Sequence, residues 1–356
     1  MSLFKDMLKG DESLFRNEMA LDFEFLPKII PYRETEQRYF ATCIAPLLQG
    51  RNGRNLFVCG APGIGKTAAM KFVFRDLEEE TDDVVPIYVN CWQKNTTFKI
   101  LLEICDQLGY KLTHNKRTEE LFEVVKQMLN KKAAVFAFDE IDKVEDYGFL
   151  YSLTEEIYKK SIFMITNHKD WITELDQRIK SRLMPDLLEF RKYNLAETQG
   201  ILRKRADQAF VPGCWDDNAF DVVSVRAFEL EDVRPGLHLM RESGMAAEAK
   251  SSKKILIEHV KEAFSKLEEF TIKPKAALDD DTQMILQLVK DNSGSKIGDL
   301  FKLYQGQGGV AVYKTFQRKI RKLADGKFLN IQTIKGGAEG TTSIIKYQTT
   351  KKLTDF

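Results

Sequence analysis

The chain has 356 residues and a formal net charge of +1, from 54 Lys and Arg against 53 Asp and Glu. This length allows two or three domains, each with its own buried core. No apolar run approaches the ~18 residues of a membrane helix, and the first eight residues lack the apolar core and cleavage site of a signal peptide. We therefore expect a cytoplasmic protein without a membrane partner.

The spacing of cysteine and histidine argues against two further classes of protein. The five cysteines, at positions 43, 59, 91, 105 and 214, show no paired spacing, and the four histidines are scattered along the chain. This pattern predicts neither a disulfide framework nor a zinc site. We expect the cysteines to be small buried apolar residues.

A phosphate-binding loop is the first motif along the chain. Residues 60–67 fit the pattern G-x-x-x-x-G-K-[ST], between an apolar run at Leu56–Cys59 and a helical pattern over Ala68–Glu80. Strand, loop and helix in this order are the context that the pattern requires, and they favour a true loop over a chance match in a glycine turn. The residues assigned to the nucleotide here are Gly60, Ala61, Pro62, Gly63, Ile64, Gly65, Lys66, Thr67 and Ala68.

Each residue type in the loop has a chemical role. The glycines let backbone N–H groups turn inward around a triphosphate, and the helix N-terminus adds the positive end of its dipole. Lys66 is predicted to reach the β- and γ-phosphates, and Thr67 to offer its hydroxyl to Mg²⁺. The loop therefore predicts that ATP or ADP binds together with Mg²⁺.

A second apolar run, Ala133–Phe138, ends in the carboxylates Asp139 and Glu140. A fully buried parallel strand has this composition, and its carboxyl end lies beside the phosphate loop. We expect Asp139 to hold Mg²⁺ through its water shell and Glu140 to polarise the water that attacks the γ-phosphate. A solvated acidic turn is the alternative, since Asp142 follows closely, but the loop upstream favours a hydrolytic site.

Strand-like runs alternate with helical ones as far as about residue 190, which predicts a parallel sheet with crossover helices. The five predicted strands are Leu56–Cys59, Val84–Asn90, Ala133–Asp139, Ser161–Asn167 and Leu187–Phe190. From residue 194 the apolar period becomes helical. We predict an α/β nucleotide-binding domain over residues 1–190 and an all-helical domain over residues 191–272.

The last quarter of the chain is basic. Residues 273–356 carry 15 Lys and Arg against 8 Asp and Glu, a balance of +7, which leaves 39 against 45, or −6, for residues 1–272. The pattern of helix, turn, basic helix and hairpin in this part is that of a winged helix. The predicted elements are helices over Thr282–Lys290, Lys296–Tyr304 and Tyr313–Leu323 and strands over Phe328–Ile334 and Ser343–Gln348.

The basic helix of this third domain carries an apolar stripe on one side and positive charge on the rest. In a winged helix such a helix enters the major groove, and the hairpin lies along an adjacent groove or the backbone. We predict contacts to double-stranded DNA by Lys314, Arg318, Lys319 and Arg321, and by Lys335 at the hairpin tip. The alternatives are a solvated helix face and a module that binds protein.

Taken together, the motifs resemble an archaeal-type replication initiator of the AAA+ class, in the family that combines origin recognition with loading of the replicative helicase. The similarity runs nearly end to end. Residues 26–27 and 31–34 resemble the family's N-terminal segment, which covers the adenine, and residues 87–91 resemble its second strand. The resemblance therefore implies that Pro31, Tyr32 and Arg33 contact the nucleotide.

The resemblance also implies polar side chains that act on the γ-phosphate. Asn167 corresponds to the residue that ends a strand and orients the attacking water. Arg182 corresponds to the arginine that related proteins present to the nucleotide of a neighbouring subunit, where it supplies positive charge. Arg178 is a close alternative for this role.

Residues 232–241 resemble the family's lid helix, which begins Gly-Asp-Ala-Arg. Arg234 is thereby implied to be the lid's sensor of the γ-phosphate. The chain departs from the pattern at two positions, because Glu231 replaces the glycine and Pro235 follows the arginine. Proline is tolerated only in the first turn of a helix, so Pro235 is compatible with a lid helix only in that turn.

The implied fold is an AAA+ P-loop parallel sheet domain with an all-helical lid and a C-terminal winged helix. The implied function is that of a slow, switch-like ATPase, nucleoid-associated, that binds origin repeats and helps to load the replicative helicase, alone or in oligomers with related initiators. The segment 92–112 falls where the family carries a helical insertion that touches DNA. Two other classes stay open: a regulator of transcription or plasmid maintenance, and a transposition-helper-like ATPase.

Overall fold

Two units make up the chain in the computed structural model, Met1–Ala263 and Phe264–Phe356. The described residues are 13–271, 280–309, 311–325, 329–334 and 342–347. The predicted boundary at 272/273 lies outside them. Among the described residues, no helix has the length and apolar character needed to cross a membrane.

A five-stranded parallel sheet forms the centre of the first unit, as predicted. Its strands are β1 (Leu56–Cys59), β2 (Val84–Asn90), β3 (Ala133–Asp139), β4 (Lys160–Thr166) and β5 (Asp186–Glu189). Their order is β2-β3-β4-β1-β5, so β1 lies between β4 and β5 and the phosphate loop that follows β1 opens beside the end of β4. All seven residues of β3 are buried, which explains its uninterrupted apolar sequence.

Helices cover both faces of this sheet. They are α1 (Glu34–Leu48), α2 (Lys66–Glu80), α3 (Thr97–Gln107), α4 (Thr118–Leu129), α5 (Gly148–Glu156), α6 (Trp171–Glu174) and α7 (Gln177–Leu183). One core packs α1 and α2 on one face, and a second packs α3, α4 and α5 on the other. The five cysteines lie buried and unpaired, in agreement with their interpretation as apolar residues.

The helical lid belongs to the same unit. It consists of α8 (Leu195–Ala209), α9 (Asp217–Glu229), α10 (Val233–Ala249) and the first part of α11 (Ile257–Thr271), a helix that contains the boundary between the two units. Asn194 caps α8 through a capping box with Glu197. Asp232 caps α10, so Pro235 stands in the first turn, where it costs little.

Glu231 shows why the family pattern has a glycine at its position. It follows the C-terminus of α9 with φ +56°, in the left-handed region that glycine occupies without strain. Glu231→Gly should therefore raise the free energy of unfolding by about 0.5–1 kcal/mol. Chemical denaturation measures this, with Glu231→Gln as the matched control: it keeps the strain and should be nearly neutral. A less stable glycine variant would contradict the argument.

The second unit has the order of elements of a winged helix. Its elements are α12 (Asp280–Asp291), β6 (Ser295–Lys296), α13 (Ile297–Gly306), α14 (Tyr313–Asp325), β7 (Leu329–Ile334) and β8 (Thr342–Tyr347). The strands form an antiparallel sheet in the order β6-β8-β7. Phe316 and Ile320, from the predicted apolar stripe of α14, lie fully buried in the core of this unit. The two-residue strand β6 was not predicted.

Candidate functional site

The phosphate loop between β1 and α2 has a backbone that only glycine allows at two positions. Gly65 caps α2 with φ +88°, and a Cβ there would stand 2.7 Å from the Tyr193 hydroxyl. Gly63 has φ +70°, and a Cβ there would overlap the Asp232 carboxylate. The helix therefore starts at Lys66, two residues earlier than predicted, with its first N–H groups at the loop. Such a cradle fits the phosphates of a nucleotide.

Lys66 connects the loop to the end of β4. Its ammonium donates to the carbonyl oxygens of Gly60 and Ala61, each at 2.8 Å, and to Asn167 Oδ1 at 2.7 Å. The structure thus brings two predicted phosphate contacts together. Burial of the ammonium lowers the pKa of Lys66 to about 8.

The pKa of Lys66 predicts a pH dependence of nucleotide binding. Below pH 8 the ammonium is charged before the phosphates arrive, and affinity should be flat. Above pH 8 the free protein loses this proton and binding must restore it, so the dissociation constant should rise up to tenfold per pH unit. A fluorescent ADP analogue titrated between pH 6.5 and 9.5 measures the profile. Lys66→Arg, which stays charged, should bind more weakly but without this slope.

Asp139 lies at the carboxyl end of β3 with both carboxylate oxygens engaged. Thr67 Oγ1 donates to Oδ2 at 2.6 Å, and the backbone N–H of Glu140 donates to Oδ1 at 3.1 Å. Tyr88 Oη also donates to Oδ2, at 3.0 Å. A carboxylate next to a threonine hydroxyl is the oxygen set that Mg²⁺ prefers, so these residues fit the ion.

Glu140 follows directly in a strained conformation. Its φ of +52° is rare for a residue with a side chain, and such strain often marks a functional position. Burial, together with the nearby Asp139 and Asp142 carboxylates, raises the pKa of Glu140. A carboxylate with a raised pKa is better suited to accept a proton from water.

Arg234 extends from the start of α10 toward the loop. Its guanidinium binds the Asp232 carboxylate, with Nη2 2.6 Å from Oδ2 and Nε 3.0 Å from Oδ1. Asp232 in turn contacts Gly63, so the acid connects the lid arginine to the phosphate loop. Arg234, Lys66, Asp139, Glu140 and Asn167 all line one cleft of about 760 Å³.

The N-terminal segment closes this cleft on the lid side. Residues 23–31, including Pro31, line it together with Ile201 of α8. Arg205 holds the segment, since it donates to the carbonyl oxygens of Ala20 at 3.1 Å and Phe25 at 3.0 Å. The position agrees with a cover over the base, which stays a prediction.

Arg33 and Tyr32 do not line the cleft. The Arg33 side chain is fully buried, stacks on Tyr193 at 4.0 Å and donates to Ile64 O at 3.1 Å. Tyr32 places its hydroxyl against Gly200 of α8. The structure thus assigns Arg33 a part in supporting the phosphate loop from behind, instead of the nucleotide contact that the resemblance implied.

Arg182 lies outside the cleft, on α7. Its guanidinium pairs with Glu155 and lies over the Tyr151 ring at 4.8 Å. Its side chain is 38% exposed and does not line the nucleotide cleft of its own chain. Such a placement suits a residue that acts on a neighbouring subunit; this role, and the alternative of Arg178, stay predictions.

The basic helix α14 exposes most of the predicted DNA contacts. Lys314, Arg318 and Arg321 are exposed. Lys319 instead lies 2.7 Å from Asp281 of α12 and is largely covered, so it stabilises the unit itself. Lys335 lies outside the described residues.

Sequence analysis missed three residues of the site. Tyr88, Asp232 and Tyr193 contact Asp139, Arg234 and Gly65 respectively. For Asp232, the N-cap position before a helix was the available signal. For the two tyrosines, which stand 51 and 128 residues from those partners, no local signal exists.

Comparison with known proteins agrees with this geometry. An AAA domain model matches residues 49–169, and a model of the Cdc6 AAA+ ATPase-type lid domain matches residues 199–265. ORC1-type DNA replication protein 1 of Archaeoglobus fulgidus is 30% identical, over 99% of this chain and 92% of that protein. The chain belongs to the ORC1-type DNA replication protein family. A member from Sulfurisphaera tokodaii is 34% identical over 72% of this chain and 67% of its own length.

Solved structures of the family confirm the fold class. The Aeropyrum pernix ORC1 protein in complex with DNA is 25% identical with a TM-score of 0.67, over 94% of this chain and 93% of that one. The Aeropyrum pernix ORC2 protein, solved as ADPNP and ADP complexes, has a TM-score of 0.71 at 16% identity, covers 94% of each chain and shows the likeness of fold. The chain is therefore an AAA+ ATPase that binds nucleotide, and it carries the lid of this family.

Proposed function

We propose that this chain is an ATP-dependent initiator of DNA replication that recognises origin DNA and helps to load the replicative helicase. The observation that carries the proposal is the convergence of Lys66, Asn167 and Arg234 on one cleft, in a chain that also holds a winged helix with an exposed basic face. Membership of the ORC1-type family supports it. We assign residues 1–190 to a nucleotide-binding domain, residues 191–272 to the lid domain and residues 273–356 to a DNA-binding domain.

In this proposal Thr67 and Asp139 hold Mg²⁺ beside the phosphates, where the ion would neutralise negative charge. Glu140 accepts a proton from the attacking water, which Asn167 orients. Arg234 binds Asp232, which lies against Gly63 of the phosphate loop. From this position Arg234 would exchange the Asp232 carboxylate for a γ-phosphate. Because Arg234 belongs to the lid, gain and loss of the γ-phosphate would shift the lid between two orientations.

The partners we propose are double-stranded DNA with origin repeats, the replicative helicase and related initiators on the same DNA. The DNA complex of the Aeropyrum pernix ORC1 protein supports the first of these. Arg182, or Arg178, would act on the nucleotide of a neighbouring initiator. A DNA partner would place the protein at the nucleoid.

Footprinting of replication-origin DNA tests the proposal. Full-length protein with ATP should protect a defined repeat, protection should change with ADP, and Lys66→Ala should abolish that difference. The helicase should co-purify with the ATP-bound form. Protection of promoters that is indifferent to Lys66→Ala would indicate a regulator, and uniform coating of DNA would indicate a transposition helper.

Salt dependence tests the assignment of α14 to the DNA interface. Each phosphate neutralised contributes about −0.9 to the slope of log affinity against log salt. The variant Lys314→Gln/Arg318→Gln should therefore flatten the slope by nearly 2, as measured by fluorescence anisotropy. Lys319→Gln is the contrast, because its partner is Asp281: it should lower stability and leave the slope nearly unchanged. An unchanged slope in the double variant would remove α14 from the interface.

A further inference from the structure

The edge strand β2 brings a tyrosine to the magnesium-ligand carboxylate. Tyr88 pairs in register with Ala137, and Asn90 pairs with Asp139. Since alternate residues of a strand share a face, the side chains of Tyr88 and Asp139 lie on the same side of the sheet. Tyr88 Oη donates to Asp139 Oδ2 at 3.0 Å, and the tyrosine lines the nucleotide cleft.

The ring of Tyr88 is held on its other side by the helix that follows the phosphate loop. Lys71, one turn after Thr67 on α2, places its ammonium 4.3 Å from the centre of the Tyr88 ring. A tyrosine hydroxyl is protonated at neutral pH and a carboxylate can only accept, so Tyr88 is the donor in this hydrogen bond. Asp139 therefore receives hydrogen bonds from the phosphate-loop helix, from β2 and from its own loop.

The backbone of Tyr88 is held by a side chain where an edge strand lacks a neighbour. The amide of Gln107, at the end of α3, accepts from Tyr88 N–H at 3.1 Å and donates to Tyr88 C=O at 2.6 Å. These two hydrogen bonds satisfy the backbone N–H and C=O of Tyr88, which on an edge strand have no neighbouring strand to pair with. The start of α3 is tied to the loop after β3, because Glu145 N–H donates to Asn95 O at 2.8 Å.

We infer that Tyr88 is a positioning residue for Asp139 and that Gln107, through the backbone of β2, sets the position of Tyr88. The inference rests on the magnesium site of the proposed function. With the Tyr88 hydroxyl present, the Asp139 carboxylate keeps one rotamer and accepts a second donor at Oδ2 beside Thr67. Groups that orient a metal ligand in this way typically contribute about 10–100-fold to metal affinity.

Tyr88→Phe removes the hydroxyl and keeps the ring over Lys71. The measurement is the affinity of nucleotide-free, full-length protein for a methylanthraniloyl ADP analogue, with EDTA and at increasing Mg²⁺. We expect the Mg²⁺ concentration that gives the half-maximal gain in affinity to rise about tenfold, and the affinity in EDTA to change by less than about twofold. Tyr110→Phe, on a partly buried tyrosine that packs against the core on the other face of the sheet, is the control and should match the wild type.

Gln107→Ala supplies an independent test, because it leaves the Tyr88 hydroxyl in place. It should raise the Mg²⁺ concentration that gives the half-maximal gain in affinity by about threefold. In the double variant, the rise should stay below the product of the two single effects. If nucleotide affinity rises with Mg²⁺ in the wild type and shows the same dependence in Tyr88→Phe, the inference about Tyr88 is overturned but the magnesium site is not. A wild type without any Mg²⁺ dependence would overturn the magnesium site as well.

Discussion

Glu140→Gln should lower the rate of ATP hydrolysis at least about a hundredfold while ATP affinity changes by less than about threefold. A positioned general base contributes about 10²–10⁴ to a rate, and glutamine cannot accept the proton. The substitution isolates this effect, because glutamine has the size of glutamate and the same left-handed backbone cost at φ +52°. Phosphate release under single-turnover conditions and binding of a fluorescent ATP analogue measure the two quantities.

Glu145→Gln is the matched control for this prediction. Glu145 lies exposed in the same loop and hydrogen-bonds Asn95 instead of facing the cleft. Its substitution should leave both hydrolysis and binding within about twofold of the wild type, as expected of an exposed residue. Turnover that survives in Glu140→Gln would assign the base to another residue.

Gly63→Ala should weaken nucleotide binding roughly thirtyfold, although it adds a single methyl group. The new Cβ would overlap the Asp232 carboxylate, and φ +70° is itself unfavourable for alanine. Overpacking costs about 1–3 kcal/mol and the left-handed backbone about 1 kcal/mol more, which together push the loop and lid apart. The measurement is the affinity for a fluorescent ADP analogue, with unfolding followed in parallel.

Two variants separate the overlap from the backbone cost. Gly109 has φ +78° with open space around its Cα, so Gly109→Ala carries the backbone cost alone and should lose only about 1 kcal/mol of stability. Asp232→Ser shortens the opposing side chain but keeps a cap for α10, and in combination with Gly63→Ala it should restore much of the affinity. Failure of this rescue would show that Asp232 is not the obstacle.

The local sequence was sufficient to predict those features that depend on residues close together in the chain. The phosphate loop, the strand that ends in Asp139 and the first-turn position of Pro235 follow from spacing over a few residues, because backbone geometry there depends on adjacent residue types. The alternation of strands and helices predicted the parallel sheet for the same reason, with β4 and β5 displaced by one residue.

The contacts of Arg33 and Lys319 could not be predicted from the local sequence. Each is a cation in a plausible position of its motif, yet the fold buries Arg33 behind the phosphate loop and pairs Lys319 with Asp281 on another helix. A cation in a motif looks the same in sequence whether it faces a ligand or a carboxylate of its own chain. The difference depends on contacts between segments far apart in the sequence.

The amino-acid sequence by itself predicted a P-loop nucleotide site, an all-helical domain after the sheet and a basic C-terminal winged helix, since these follow from local period, glycine placement and charge; the resemblance to the family identified the helical domain as a lid. Only the tertiary structure decided which side chains complete the site: Tyr88 on Asp139, Asp232 between Gly63 and Arg234, and Arg205 on the N-terminal segment. The physical reason is that side-chain hydrogen bonds depend on register and packing between distant segments, which no local pattern encodes.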